Sequence, residues 1–187
     1  MQTGTDKETR IVIAGFGGQG VVLAGNLLAQ ACVEEGKNVS MMVAYGAEMR
    51  GGTANSTVVI SQGTIYSPVV VRPNIAVVLN TPSLDKFEPS VTAGGLIVAN
   101  QSMMNRAVKR SDLKVVMIAA TEIAHTLGNV RVANSVILGA LIAATSLLRL
   151  ASLERAVDVL LGQKKAALIS LNLEALRAGF AACPCPS

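Results

Sequence analysis

The chain has 187 residues, of which 51% are hydrophobic, 15% charged and 3% aromatic, with a formal net charge of +4. This length suits about one domain, and the low charge excludes a disordered chain or a coiled coil. With no tryptophan, two tyrosines and three phenylalanines, the chain offers little for base stacking, so nucleic acid is not expected as a partner. The main basic cluster (Arg106, Lys109, Arg110 and Lys114) is typical of a solvated face.

Cysteine usage and the polar N-terminus favour a cytoplasmic protein. The three cysteines are Cys32, Cys183 and Cys185, an odd number that implies no disulfide framework, and their spacing fits neither a zinc nor an iron–sulfur site. Residues 132–148 approach the length of a membrane span. Because they include Asn134 and other polar side chains, we expect a buried helix and no membrane association.

The first third of the chain predicts a strand–turn–helix–strand unit. Residues 10–14 form a short apolar, β-branched run, residues 21–35 an apolar helix, and residues 38–44 a second strand. This order is typical of a βαβ unit with a parallel sheet. Residues 56–61 and 64–66 flank a Gln-Gly turn and predict a hairpin.

The remaining pattern continues the alternation of strands and helices and ends in helices. We expect one α/β domain over residues 1–187, with a polar N-terminal tail at 1–9 and a C-terminal tail at 181–187. Its core is expected to be a Rossmann-like, mostly parallel sheet with flanking helices and a helical C-terminal part. The predicted strands span residues 74–79, 96–99 and 114–118, and the predicted helices span 82–87, 121–127, 130–150, 153–161 and 165–178.

A glycine-rich turn links the first strand to the first helix. Gly15, Gly17 and Gly20 match the G-x-G-x-x-G spacing of dinucleotide-binding turns, with Gly18 and Gln19 between them. The first glycine permits a tight turn, the second a close approach of backbone, and the third close helix–strand packing. Free N–H groups at the helix N-terminus favour an anion.

The second half of the dinucleotide fingerprint is missing. A dinucleotide site needs an acid at the end of the second strand, but that strand ends at Tyr45, and Glu34 and Glu35 precede Gly36 at the end of the helix. Three interpretations stay open: NAD(P) or FAD binding, a close-packed turn without a ligand, and an anionic group or a partner subunit's cofactor held at the helix N-terminus.

A second glycine-rich cluster follows the second strand. Its candidate binding residues are Tyr45, Glu48, Arg50, Gly51 and Gly52. In a parallel sheet this loop rises at the same carboxyl edge as the first turn, where such sheets bind ligands. Arg50 can bind a carboxylate or phosphate, Glu48 can orient it, and the glycines permit close approach. The alternative is a solvated loop with an exposed ion pair.

Together, these two clusters resemble the gamma subunit of 2-oxoacid:ferredoxin oxidoreductases, a unit that also occurs as a domain of pyruvate:ferredoxin oxidoreductases. The likeness covers nearly the whole chain from Arg10, and the second cluster favours the 2-oxoglutarate branch. It rests on residues 15–25 and 45–55, and continues through 67–68, 80–87, 94–96, 120–124, 128–134, 139–141 and 172–175.

The resemblance implies a subunit of a complex that converts a 2-oxoacid, coenzyme A and oxidised ferredoxin to acyl-CoA, carbon dioxide and reduced ferredoxin. Alpha and beta subunits would hold thiamine diphosphate and Mg²⁺, and beta and delta subunits the iron–sulfur clusters. This chain would bind no cofactor alone, carry no catalytic or metal-binding residue, be inactive alone, and help to shape the coenzyme A and substrate approach. The alternatives are a stand-alone nucleotide-binding protein and a pure assembly scaffold.

Other polar residues favour structural roles. His125, the one histidine, has no nucleophile or acid beside it in sequence and is expected to have a structural or surface role, not a catalytic one. Asn129 is a candidate N-cap, while Arg131 and Asn134 are spaced to share a helical face, for an interface or for ligand contact. Apolar surface left by missing partners would favour a homodimer in isolation.

Overall fold

The computed structural model describes residues 8–46, 53–162 and 166–184. It contains a six-stranded sheet of order β2-β3-β1-β4-β5-β6 with helices on both faces. The strands are β1 (Thr9–Phe16), β2 (Asn38–Tyr45), β3 (Thr53–Ser61), β4 (Ile75–Val78), β5 (Leu96–Asn100) and β6 (Lys114–Ile118). The helices are α1 (Val21–Glu34), α2 (Thr81–Phe87), α3 (Ala120–Thr126), α4 (Ala133–Thr145), α5 (Leu150–Leu161) and α6 (Ala166–Ala181). The predicted α/β class is confirmed.

All the strands except β3 run in one direction. β1, β4, β5 and β6 form successive parallel pairs, whereas β3 pairs antiparallel with both β1 and β2. The first and second strands are therefore parallel in direction, as the βαβ pattern predicts, but β3 lies between them. β2 is an edge strand of the sheet.

The predicted hairpin of residues 56–61 with 64–66 is wrong. Residues 64–66 form no strand, and β3 instead pairs with β2 over its whole length, from Asn38 opposite Ser61 to Tyr45 opposite Ala54. Since β1 and β2 occupy both edges of β3, no edge remains for residues 64–66.

The single helix predicted over residues 130–150 is divided. A 3₁₀ turn, Val130–Val132, precedes α4, and α4 ends at Thr145. Ser146 then adopts a left-handed conformation with φ of 50°, which ends the helix because it turns the backbone away from the right-handed helical path. The other predicted strands and helices agree with the structure to within a few residues at their ends.

Alternation along the strands divides the core between the two faces of the sheet. Ile11 and Ile13 of β1 join a cluster with α1, α3, α4, α5 and α6, while Val12 faces the other side with Leu84 of α2. The strands β1, β4 and β5 are buried on both faces, as their continuous apolar runs predict. One face therefore carries most of the helices.

Two glycines allow α4 and α6 to cross in close contact. A Cβ on Gly139 would meet the carbonyl oxygen of Leu176, and a Cβ on Gly179 would overlap the carbonyl oxygen of Val136. Both glycines therefore bring the two helix backbones together, a packing role that the sequence pattern did not reveal.

Within the ranges that the structure describes, no helix combines the length and the apolar character that crossing a membrane requires. Residues 132–148, whose length approaches that of a membrane span, contain α4. Its Asn134, Ser135 and apolar residues up to Ile142 are buried against the rest of the protein.

Candidate functional site

The two glycine-rich segments leave the sheet at the same edge. The first turn follows Phe16 at the end of β1, and Phe16 lies opposite Thr53, the first residue of β3. The N–H of Gly46, just after β2, donates to the carbonyl oxygen of Thr53 at 2.7 Å. The ends of the second segment thus lie beside the first turn. Exposed Tyr45 lies at this edge, whereas Glu48, Arg50, Gly51 and Gly52 fall outside the described residues.

Gln19 stabilises the first turn from inside. Its Oε1 accepts the backbone N–H of Phe16 at 2.6 Å and the Nδ2 of Asn80 at 2.8 Å. Asn80 in turn caps α2, because its Oδ1 accepts the N–H of Ser83 at 2.9 Å. A Cβ on Gly15 would lie 2.7 Å from Gln19 Oε1, so this glycine makes room for the glutamine. The side-chain oxygen of Gln19 therefore connects the end of β1 with Asn80, just after β4.

Gly20 makes room for a side chain from another helix. It adopts φ of 75°, and a Cβ there would lie 2.5 Å from Nδ2 of Asn134 in α4. Asn134 donates from Nδ2 to the carbonyl of Gly20 at 3.2 Å, while its buried Oδ1 has no hydrogen-bond partner. The third glycine was expected to permit close packing of helix on strand. Its nearest contacts show instead that it packs against α4.

A cavity of about 210 Å³ opens beside the first turn. The chain leaves β1 for α1 on one face of the sheet and β4 for α2 on the other, so this edge is the topological switch point at which α/β sheets bind ligands. The lining residues come from the turn, the ends of β4 and β5, and the starts of α3 and α4: Gly18, Gln19, Leu79, Asn100, Met103, Thr121, Val130, Arg131 and Ala133.

The polar residues singled out near α4 differ in their surroundings. The Oδ1 of Asn129 accepts the N–H of Arg131 at 3.0 Å and caps the 3₁₀ turn, which confirms the predicted capping role. Arg131 is exposed and lines the cavity, whereas Asn134 is buried behind Gly20. His125 is exposed on α3, which agrees with the surface role, one of the two roles expected for it.

Sequence reasoning missed Asn80, Asn100 and Thr121. The Nδ2 of Asn100 donates to the hydroxyl of Thr121 at 2.9 Å, and its Oδ1 accepts the N–H of Thr121 at 3.3 Å. These bonds fix α3 to the end of β5. A signal was present in the sequence, since Asn80 and Asn100 each follow an apolar strand at the expected ligand-binding edge.

The two arginines of the basic cluster pair with acidic side chains of the same chain. Arg106 contacts Asp85 at 2.6 Å and Glu88 at 2.8 Å, and Arg110 contacts Asp112 at 2.5 Å. Burial would raise the pKa of Glu88, but hydrogen bonds from the Arg110 N–H, the Arg106 guanidinium and a further backbone N–H lower it. These pairs anchor the segment before β6 and support the prediction of a solvated structural face.

The described part of the chain has no group of three histidine, cysteine or acidic side chains that could hold a metal. Burial raises the pKa of the Cys32 thiol to about 12, the dominant effect over the opposing charge of Lys37, so the neutral thiol is strongly favoured at this buried position. Cys185 lies outside the described residues. Within residues 8–46, 53–162 and 166–184, the side chains therefore do not supply the ligand set of an iron–sulfur cluster.

A dinucleotide site does not fit this edge either. In such sites the acid that holds the ribose ends the strand next to the first one. Here the strand beside β1, on the side away from β4, is β3. It runs antiparallel to β1, so it begins at this edge, with Thr53, and does not end there. The glycine spacing of a dinucleotide site is present, but the parallel strand that would carry the acid beside β1 is replaced by the antiparallel β3.

The model of the pyruvate ferredoxin/flavodoxin oxidoreductase family matches residues 10–182, and the chain belongs to this family. It is 40% identical over 174 residues to the ketoisovalerate oxidoreductase subunit VorA of Methanothermobacter thermautotrophicus, covering 92% of this chain and 36% of that protein. It is 35% identical over 154 residues to the 2-oxoglutarate synthase subunit KorC of Methanocaldococcus jannaschii, covering 81% of each chain.

A solved structure supports the same relationship. The gamma subunit of a keto/oxoacid ferredoxin oxidoreductase from Geobacter sulfurreducens matches with a TM-score of 0.79 and 28% identity, over 92% of this chain and 96% of that one. The resemblance to gamma subunits of 2-oxoacid:ferredoxin oxidoreductases is thereby confirmed. The chain spans about a third of the length of the VorA relative.

Proposed function

We propose that the chain acts as the gamma subunit of a thiamine-diphosphate-dependent 2-oxoacid:ferredoxin oxidoreductase. The complex would convert a 2-oxoacid, coenzyme A and oxidised ferredoxin to acyl-CoA, carbon dioxide and reduced ferredoxin. This chain supplies an assembly surface and part of the approach for coenzyme A and substrate. The observation that carries the proposal is that the first glycine-rich turn and the described ends of the second segment lie at one sheet edge, in a chain whose relatives are subunits of such enzymes.

Exposed apolar residues on β2 support the assembly role. Met42, Val43 and Tyr45 are exposed by 45%, 36% and 73%, and they lead directly into the second glycine-rich segment. β2 contains no proline and no charged residue, although edge strands of free-standing proteins usually carry such features to prevent pairing with other chains. We infer that the alpha and beta subunits, and delta where present, cover this edge. In their absence the same surface favours a homodimer.

The positive end of the α1 dipole supports a role in binding the phosphates of coenzyme A. α1 begins at Val21 with no side-chain cap, so the N–H groups of its first turn are available to an anionic group. Thiamine diphosphate, Mg²⁺ and the iron–sulfur clusters would belong to the partner subunits, where the redox chemistry takes place.

The identity of the 2-oxoacid substrate stays a proposal. The names of two relatives, VorA and KorC, refer to ketoisovalerate and 2-oxoglutarate, so membership of the family alone does not choose between them. We keep 2-oxoglutarate as the first substrate to test, because the second glycine-rich cluster favours that branch, and 2-oxoisovalerate as the second.

Reconstitution with the partner subunits tests the proposed function. Ferredoxin reduction that depends on both 2-oxoacid and coenzyme A is measured with and without this chain, using pyruvate, 2-oxoglutarate and 2-oxoisovalerate in turn. We expect activity only when the chain is present. Full activity without it, or its failure to bind any thiamine-diphosphate-containing subunit, would contradict the proposal.

An arginine variant separates a role in ligand approach from pure scaffolding. Arg50→Ala is expected to raise the KM for coenzyme A while the complex still assembles, because a cation for an anionic ligand is lost. If assembly, KM and turnover are all unchanged, Arg50 has no part in ligand approach. The same result for variants along the rest of the sheet edge would leave scaffolding as the function.

A further inference from the structure

The cavity at the switch point has apolar walls and one cation at its rim. Leu79 and Ala133 form part of its interior, while Met103 and Val130 flank it with exposures of 41% and 49%. Apolar side chains grouped at the mouth of a cavity are typical of a surface that a ligand or partner covers. Arg131 lines the same cavity.

Arg131 is available to bind an anion. Most arginines in the described ranges pair with an acid, as Arg106 and Arg177 do. The guanidinium groups of Arg72 and Arg131 contact no acidic group there. The backbone of Arg131 is nevertheless fixed by the cap from Asn129 at 3.0 Å. The cavity thus has a positioned cation without a counter-charge.

Two further groups give the cavity a polar side. The hydroxyl oxygen of Thr121 already accepts a hydrogen bond from Asn100, so its hydrogen is left to donate to a ligand. Gly18 and Gln19 bring the turn before α1 into the cavity wall, and this turn lies at the positive end of the helix dipole. Cation, hydroxyl and dipole all favour a negative group at the same place.

We propose that this cavity binds a small organic anion, with its carboxylate or phosphate at Arg131 and Thr121 and its uncharged part against Met103, Val130 and Leu79. A volume of about 210 Å³ is below the ~300–1,000 Å³ of sites for drug-sized ligands. It accepts a short 2-oxoacid whole, or one end of a larger molecule. The source of the anion, a branched 2-oxoacid or coenzyme A, rests on the proposed function, whereas the binding chemistry does not.

Titration of the isolated full chain tests the assignment without partner subunits. Chemical shifts of backbone amides are followed as 2-oxoisovalerate, coenzyme A or inorganic phosphate is added. We expect saturable shifts centred on Gly18, Thr121 and Arg131. If 2-oxoisovalerate binds more tightly than coenzyme A, a 2-oxoacid is the ligand, and the reverse order assigns coenzyme A. Shifts elsewhere, or none that saturate, would overturn the proposal.

Matched arginine variants supply the control. Arg131→Gln is expected to weaken binding about tenfold or more, since a charge-assisted hydrogen bond is worth ~1.5–3 kcal/mol. Arg72→Gln removes an equally unpaired arginine that precedes β4 at the opposite edge of the sheet, and should change nothing. Equal effects of the two variants would refute a specific site.

An apolar variant tests the other half of the cavity. Met103→Ser should weaken binding of 2-oxoisovalerate but leave inorganic phosphate unaffected, because only the organic anion contacts the apolar wall. Loss of both ligands to the same extent would contradict the assigned orientation. These binding measurements use the isolated chain. If no anion binds, the proposed function can still be tested by reconstitution with the partner subunits. If reconstitution fails, the binding of the anion to the isolated chain can still be measured.

Discussion

Substitution of Gly20 by alanine tests the packing at the start of α1. The variant has two costs. Alanine at φ of 75° is strained by ~1–2 kcal/mol, the usual penalty of a left-handed conformation. Its Cβ would also lie 2.5 Å from Nδ2 and 2.8 Å from Cγ of Asn134, and overpacking of this kind costs ~1–3 kcal/mol. We therefore expect Gly20→Ala to lower the free energy of unfolding by ~2–5 kcal/mol, a large share of the ~5–15 kcal/mol typical of native proteins.

A double-mutant cycle separates the two costs. Asn134→Ala removes the neighbour that the new methyl group would meet, but leaves the backbone strain unchanged. In the Asn134→Ala background, Gly20→Ala should therefore cost only the ~1–2 kcal/mol of strain. The coupling between the two sites should reach at least ~1 kcal/mol, well above the ~0.3–0.5 kcal/mol within which independent sites add.

The assay is urea unfolding followed by far-ultraviolet circular dichroism, because the chain has no tryptophan and its helices give a strong signal. The four proteins of the cycle are compared at one pH and one salt concentration. If the costs of the single variants simply add, Asn134 does not limit the space at Gly20. Contact with Asn134 would then not explain the glycine at position 20.

Two further stability effects follow from the structure. Gly179→Ala should lower the free energy of unfolding by ~1–3 kcal/mol, despite the better helix propensity of alanine, because the added Cβ would overlap the backbone of Val136; Ser170→Ala, exposed on the same helix, is the control and should stay within ~0.5 kcal/mol. Burial would raise the pKa of Glu35, but hydrogen bonds led by the Arg149 N–H lower it from 4.5 to about 2. The stabilisation from this carboxylate is thus complete above pH 4.5 and lost as the pH falls towards 2. Urea unfolding of the wild type and of Glu35→Gln across that range should show their difference shrink on acidification, and a constant difference would refute the assignment.

Much of the fold could be predicted from the sequence because apolar runs and glycines mark it directly. The strands at β1, β4, β5 and β6 and all six helices have a recognisable pattern. The order of the strands in the sheet could not be predicted from such local patterns, because β3 pairs with both β1 and β2 through contacts between residues that are distant in sequence. A local turn signal at Gln62 and Gly63 favoured a hairpin that the long-range pairing excludes.

The sequence predicted the location of the candidate site better than it predicted which residues form the site. The shared edge of the two glycine-rich segments follows from strand direction alone, and the structure places the described ends of both there. The use of Gln19 and Gly20 inside the turn could not be predicted, because their neighbours, Asn80 and Asn134, are distant in sequence. The sequence indicates Arg131 for an interface or for ligand contact, but the cavity that Arg131 lines forms only where the ends of β4 and β5 meet the start of α4.

The glycine spacing itself shows why a motif needs its context. In a dinucleotide-binding turn the glycines leave room for a ligand and for close packing of helix on strand. Here Gly15 leaves room for Gln19 and Gly20 leaves room for Asn134, so two of the three positions are explained by contacts within the protein. The same spacing therefore arises from a different requirement, the joining of β1, β4 and α4 at one point. Because that joining holds Gly18 and Arg131 around one cavity, the packing role of the turn also builds the surface on which an anion would bind.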